Sequence, residues 1–297
     1  MSGKVARHES AWGWALVAPW VVGFLIFTLG PMLYSFWLSF QKYDLAHGEY
    51  VGIENYRRLA AEDPLFWKSL SNTFLFALLS VPLGVAGSLG AALLLNARVR
   101  GQSLFRTLFY LPTMVPAVAS ALLWLWVFNP ENGILNHGLG AVGVEGPAWL
   151  QDERFALLAF VIMSLWGIGG ARMVIFLAGL QGVSDAYYEA ATLDGASAWK
   201  RFRFVTWPLI SPITFFNVIM GVIGALGVFT SAYVMTGGGP NNATLFYNLY
   251  LFRNAFEYFK LGKASAMAWI MFVILLLLTL VQFRLSRRWV HYEGDGN

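Results

Sequence analysis

The sequence predicts an all-α, polytopic membrane protein with six transmembrane helices and both termini in the cytoplasm. Composition is the first observation: of 297 residues, 58% are hydrophobic and only 12% charged, where a soluble domain carries about 25% charged residues. The second is clustering, because the apolar residues form runs of about 20 or more, enough to cross about 30 Å of hydrocarbon as helices. The third is charge placement. Segments flanking one face hold eleven Lys and Arg residues, against eight in the longer loops of the other face, and the positive-inside rule puts the richer face in the cytoplasm.

In chain order the expected spans cover residues 12–40, 69–96, 104–128, 155–180, 207–235 and 264–283. Residues 1–11 and 284–297 form the cytoplasmic ends of a membrane domain, 12–283. Lys4 and Arg7 before the first run resemble a signal-peptide start, but the run is too long and lacks a small-residue cleavage site, so it reads as a retained helix. Pro112, Pro116, Pro208 and Pro212 punctuate the third and fifth spans. Gly221, Gly224 and Gly227 give the fifth a small-residue face suited to close helix packing.

Much chemistry is excluded. With no cysteine, neither a disulfide nor a thiolate metal site can form. His8, His47, His137 and His291 lie far apart, so no metal or HExxH site is expected. The expected spans contain no Asp or Glu, whereas ion-coupled carriers keep acidic relays and intramembrane aspartyl proteases need two carboxylates. No phosphate-binding loop or GxSxG nucleophile turn is present. The basic residues cluster at the ends of apolar runs, which suits lipid headgroups better than nucleic acid. A transport role therefore needs a partner to supply energy, with no cofactor in this chain. A self-sufficient channel or carrier and a membrane-embedded lipid enzyme are the competing classes.

Arg172 is the one ionised residue well inside a span. It is either a snorkelling side chain near the end of its helix or a pore-lining cation for a polar or anionic solute. Trp166, Asn217, Thr230, Ser231 and Tyr233 are candidate solute contacts, since aromatic faces with amide and hydroxyl groups suit a sugar. The same residues equally serve to join helices.

The segment 181–208 is the expected cytoplasmic loop with most to say. Ser184 is placed as an N-cap and Asp185 as a first-turn acid, with a helix over 186–193 and Gly195 beyond its end. A second helical piece is expected over 196–206. The helix offers Tyr187, Tyr188, Glu189, Ala190 and Ala191 to a partner groove, or lies on the membrane surface. Glu189-Ala190-Ala191, then Gly195, Val205 and Trp207-Pro208 match the pattern EAA-x3-G-x9-I-x-L-P. This resembles the EAA loop of ATP-binding-cassette importer permeases, with Val205 for Ile and Trp207 for Leu. Asp194 lies within the matching stretch. Thr236-Gly237-Gly238-Gly239-Pro240 is similar to a segment of the maltose, lactose and glycerol-phosphate type permeases (the MalF-like subunit). So are Gly52-Ile53-Glu54-Asn55-Tyr56, Arg106-Thr107-Leu108-Phe109-Tyr110-Leu111-Pro112 and Phe128-Asn129-Pro130-Glu131-Asn132-Gly133-Ile134-Leu135-Asn136.

The resemblance implies a type I importer permease fold and a second permease as heterodimer partner. It also implies two cytoplasmic ATPases that bind ATP and Mg, and an external solute-binding protein. It implies alternating access for a carbohydrate or a polyol phosphate. Gly237, Gly238, Gly239 and Pro240 are then an outer gate or binding-protein contact; alone they read as a tight, easily deformed external turn.

Overall fold

A computed structural model describes residues 2–44, 47–97 and 101–291, with side chains from Trp12 onward. In chain order the helices are α1 (Ser2–Phe24), α2 (Gly30–Leu38), α3 (Glu54–Ala61), α4 (Pro64–Asn96), α5 (Gln102–Tyr110), α6 (Ala117–Val127), α7 (Ile134–Ala141) and α8 (Glu153–Leu165). They continue as α9 (Ala171–Gly182), α10 (Asp185–Leu193), α11 (Ala198–Arg201), α12 (Trp207–Leu209), α13 (Ser211–Leu226), α14 (Thr230–Met235), α15 (Tyr247–Phe252) and α16 (Leu261–Ser286). Two short antiparallel strands, β1 (Gln41–Tyr43) and β2 (Gly48–Tyr50), pair Lys42 with Glu49. The all-α expectation holds. Four stretches are long and apolar enough to cross a membrane: Trp12–Leu38, Pro64–Asn96, Ser211–Met235 and Leu261–Ser286.

Two expected spans differ in form. The third is bent by 99° between Gln102–Met114 and Ala117–Val127. Val115 is extended ahead of Pro116, as the proline ring demands of its predecessor. The fourth is two shorter helices, α8 and α9, separated by turns over Trp166–Gly170. Gly169 and Gly170 lie so close to α5 and the turn after it that a Cβ would strike the Phe109 carbonyl and the Thr113 methyl. That contact, not span length, sets the break.

Prolines shape two other elements alike. π-helical turns at Leu25–Leu29 and Phe202–Thr206 are followed, after one intervening residue, by Pro31 and Pro208 respectively. Proline supplies no N–H and crowds the preceding turn, and the helix widens to absorb it. The expected helix over 196–206 is therefore the four-residue α11 running into a π turn.

The described residues form two compact units, one from residues up to Asp63 plus Leu251–Val273, the other from Pro64–Tyr250 and the residues after Val273. In the first, Asn55 Nδ2 donates to the carbonyls of Ser39 and Gln41, both at 2.8 Å, and Tyr56 donates to Ser39 Oγ at 2.7 Å. The Phe36 and Trp269 rings meet edge to face at 4.6 Å. In the second, α4 is central and packs against α8, α9 and α13. Its buried face carries Ser69, Thr73, Ser80, Gly84 and Ser88 among larger apolar groups. Helices approach closely on small residues where no water is present to drive burial.

Candidate functional site: an exposed loop helix and a half-buried arginine

Helix α10 is built as its sequence dictates. Ser184 is extended and its hydroxyl accepts from the Ala186 N–H at 3.3 Å, with Asp185 in the first turn. At the other end Gly195 has φ +71°. Ala196 N–H reaches the Ala191 carbonyl at 2.9 Å, and Gly195 N–H the Thr192 carbonyl at 3.0 Å. These two bonds define a Schellman close, which places Asp194 at the C-cap and requires the left-handed residue that glycine supplies.

The loop is tied at two further points. Tyr188 is half-buried, and its hydroxyl meets Thr206 Oγ1 at 3.1 Å. Arg201 Nη1 donates to Thr192 Oγ1, also at 3.1 Å. Tyr188 thus braces α10 against the return segment, while Tyr187, Glu189 and Ala190 face outward and Ala191 is half-buried. Pro208 sits at the start of α12. Asp185, Tyr188, Glu189, Thr192, Leu193 and Arg201 line a cleft of about 630 Å³. Leu193 is 89% exposed at its edge, and Trp199 and Phe204 are also exposed. Large apolar groups bared around a charged, rigid helix end mark an interaction surface.

Arg172 is half-buried. It lies in the first turn of α9, where its guanidinium rests against Gly84, twelve residues from the end of α4, and Gly221, ten residues into α13. A Cβ at Gly84 would stand 2.8 Å from Nη1, and one at Gly221 3.5 Å from Nη2. A Cβ at Gly84 would force Nη1 to shift, whereas one at Gly221 would make only ordinary contact with the guanidinium. Among the described residues Arg172 has no hydrogen-bond or ion-pair partner. Arg172, Ser80, Ser164, Gly224, Phe76 and Gly221 border a cavity of about 210 Å³.

The other expected solute contacts are not lining residues of that cavity. Asn217 is 1% exposed and donates to its own helix at the Ile213 carbonyl, 3.1 Å. Trp166 meets Trp124 edge to face, at 6.0 Å, beside the break after α8. Thr230 and Ser231 open α14, and Tyr233 stacks on Phe229 at 5.7 Å. Ser80, Gly84 and Ser164 were not among the expected residues. Ser80 and Gly84 share a small-residue face of α4 with Ser88, a spacing that marks close packing and not a site, and Ser164 on α8 carries no such signal.

The segment Gly237–Pro240 is not easily deformed. Thr236 and Thr244 hydroxyls meet at 2.6 Å, and Thr244 also donates to the Gly239 carbonyl at 2.6 Å. Asn72 of α4 donates to the carbonyls of Asn242 and Leu245 at 2.8 and 3.1 Å, and Thr73 Oγ1 accepts from Tyr247 N–H at 2.8 Å. Asn241 donates to Glu153. The turn is a bolted element, which corrects the simple-turn expectation. The 128–136 segment is similarly fixed. Asn129 Oδ1 accepts from the N–H groups of Glu131 and Asn132, and Asn136 bridges the Pro130 and Pro147 carbonyls and Trp149 Nε1.

The fold is that of a helical, multi-pass membrane component with an exposed loop helix. The family model for the binding-protein-dependent transport system inner membrane component matches residues 68–291. The chain belongs to that family. A probable ABC transporter permease, YesP of Bacillus subtilis, is 42% identical, with 97% of this chain and 94% of the relative covered. The trehalose/maltose permease MalF of Thermococcus litoralis is 34% identical over 97% of each. Among solved structures, a bacterial ABC transporter involved in import of the acidic polysaccharide alginate shares the fold, with TM-score 0.84 and 22% identity over 95% of this chain and 96% of that one.

Proposed function

We propose that this chain is one permease subunit of an ATP-driven importer for a carbohydrate or a polyol phosphate, embedded in a bacterial inner membrane with both termini in the cytoplasm. Residues 1–11 and 284–297 are its cytoplasmic ends and 12–283 the membrane domain. A second permease completes the path, two cytoplasmic ATPases bind ATP and Mg, and an external binding protein delivers solute. Relatives named for trehalose/maltose, lactose and sn-glycerol-3-phosphate transport support the solute class.

The observation that carries the coupling is α10, exposed, capped at both ends and braced by Tyr188. A short helix held this rigidly transmits motion. When the ATPases close on ATP, each carries the helix seated in its groove, and the attached helices α9 and α13 open the path to one side and then the other. Glu189 supplies the charged contact, and Gly195 sets the angle at which the chain leaves the helix.

ATP-dependent uptake into proteoliposomes of the whole complex tests this. Glu189→Lys and Gly195→Asp are expected to lower uptake at least about tenfold, the cost of losing one charge-assisted contact. The binding protein's affinity for solute stays unchanged. Normal uptake by both variants contradicts the coupling role.

A further inference from the structure

We infer that Arg172 is the anion-recognition residue of the solute path, and that the carried saccharide bears an acidic group. The inference rests on the importer reading above and narrows its solute class. Four independent features support it. A cation in the first turn of a helix faces the positive end of the macrodipole, so position alone disfavours Arg172. Inside the bilayer an ionisable group persists by pairing or by serving a pathway, and Arg172 has no partner among the described residues. Its place is nevertheless built, because Gly84 leaves room for Nη1 and Gly221 lies against the guanidinium on a different helix. Finally, Ser80 is 6% exposed, borders the same cavity and makes no hydrogen bond among the described residues.

An unpaired guanidinium beside an unpaired hydroxyl lacks an acceptor. A carboxylate, sulfonate or phosphate supplies two or more acceptor oxygens and matches the planar fork of arginine. A neutral sugar hydroxyl leaves the charge uncompensated. The cavity, about 210 Å³, is below the roughly 300–1,000 Å³ of a complete ligand pocket. It therefore holds one acidic substituent, while the rest of the saccharide lies against surfaces outside it.

The test uses the reconstituted complex with its binding protein and a mixed pool of probes. The pool contains uronic-acid oligosaccharides, their carboxyl-reduced counterparts and phosphorylated sugars, and mass spectrometry identifies what enters with ATP. Acidic species are expected to enter in preference to their reduced counterparts. Arg172→Gln should lower the acidic-to-neutral ratio by about tenfold or more, and Arg172→Lys, which keeps the charge and loses the fork, should fall between the two. Gly84→Ala, which pushes Nη1 aside with the charge intact, should lower the ratio as well. Entry of uronates or of phosphates distinguishes the two acid types. Preference of the wild-type complex for neutral species overturns the inference and leaves the importer reading standing. So does an equal loss of both species in Arg172→Gln, which marks an ion pair to the second permease. Should Arg172→Gln fail to assemble, the wild-type preference and Gly84→Ala decide. Absence of ATP-dependent entry by any probe contradicts the importer reading itself.

Discussion

Gly195 shows how one residue sets the form of the loop. It has φ +71°, and nothing lies within 4 Å of where a Cβ would stand, so glycine is required by backbone conformation and not by crowding. Gly195→Ala should therefore cost about 1–2 kcal/mol, the penalty of the left-handed region for an L-residue. Thermal unfolding in detergent is expected to show a small downward shift with the fold retained; an unchanged transition contradicts the cap. Glu54 makes a separate point about charge. Hydrogen bonds from Arg57 and Arg58 hold its carboxyl down from 4.5 to about 2. A depressed carboxyl contributes stability that is complete above its unfolded value and lost as pH falls toward the folded one. The melting difference between wild type and Glu54→Gln should thus be constant above about pH 5 and shrink between pH 4.5 and 2. A difference that grows on acidification contradicts the ion cluster.

At the scale of elements, hydrogen bonds fix the loops that hydropathy describes only as polar. Asn72 is the clearest case, since one buried amide serves two carbonyls of the 236–245 segment. Asn72→Ala removes both of these bonds and is expected to cost about 1–3 kcal/mol. Limited proteolysis should then cut between residues 236 and 245 faster than in wild type; equal rates contradict the bolt. Helix α10 was legible because its signals are local: Ser184 before its nine residues and Gly195 after the C-cap Asp194. The break between α8 and α9 was not. It depends on how closely Gly169 and Gly170 meet α5, and glycines inside an apolar run look the same whether they pack or break. The bend before α6 was half legible, because Pro112 and Pro116 mark a disturbance without giving its 99° angle.

At the scale of the molecule, apolar runs and charge placement are enough to identify a multi-pass helical protein. The family motifs divide into two kinds once placed in the fold. Asn55, Asn129 and Asn136 hold loops in shape, whereas Glu189 and Ala190 face outward. Spacing along a sequence does not separate the two. Arg172 stood out by charge, but its companions did not, since Ser80 and Gly84 are ordinary membrane-helix residues until α4, α9 and α13 are packed together. The central claim is that α10 is the seat of a separate ATPase. It is tested most directly by purifying the tagged chain in mild detergent from its native membranes and identifying its partners by mass. A second permease and an ATPase should be recovered with the wild type, and Glu189→Lys should keep the permease and lose the ATPase. Recovery of the chain alone, or as a homo-oligomer without an ATPase, would contradict the account.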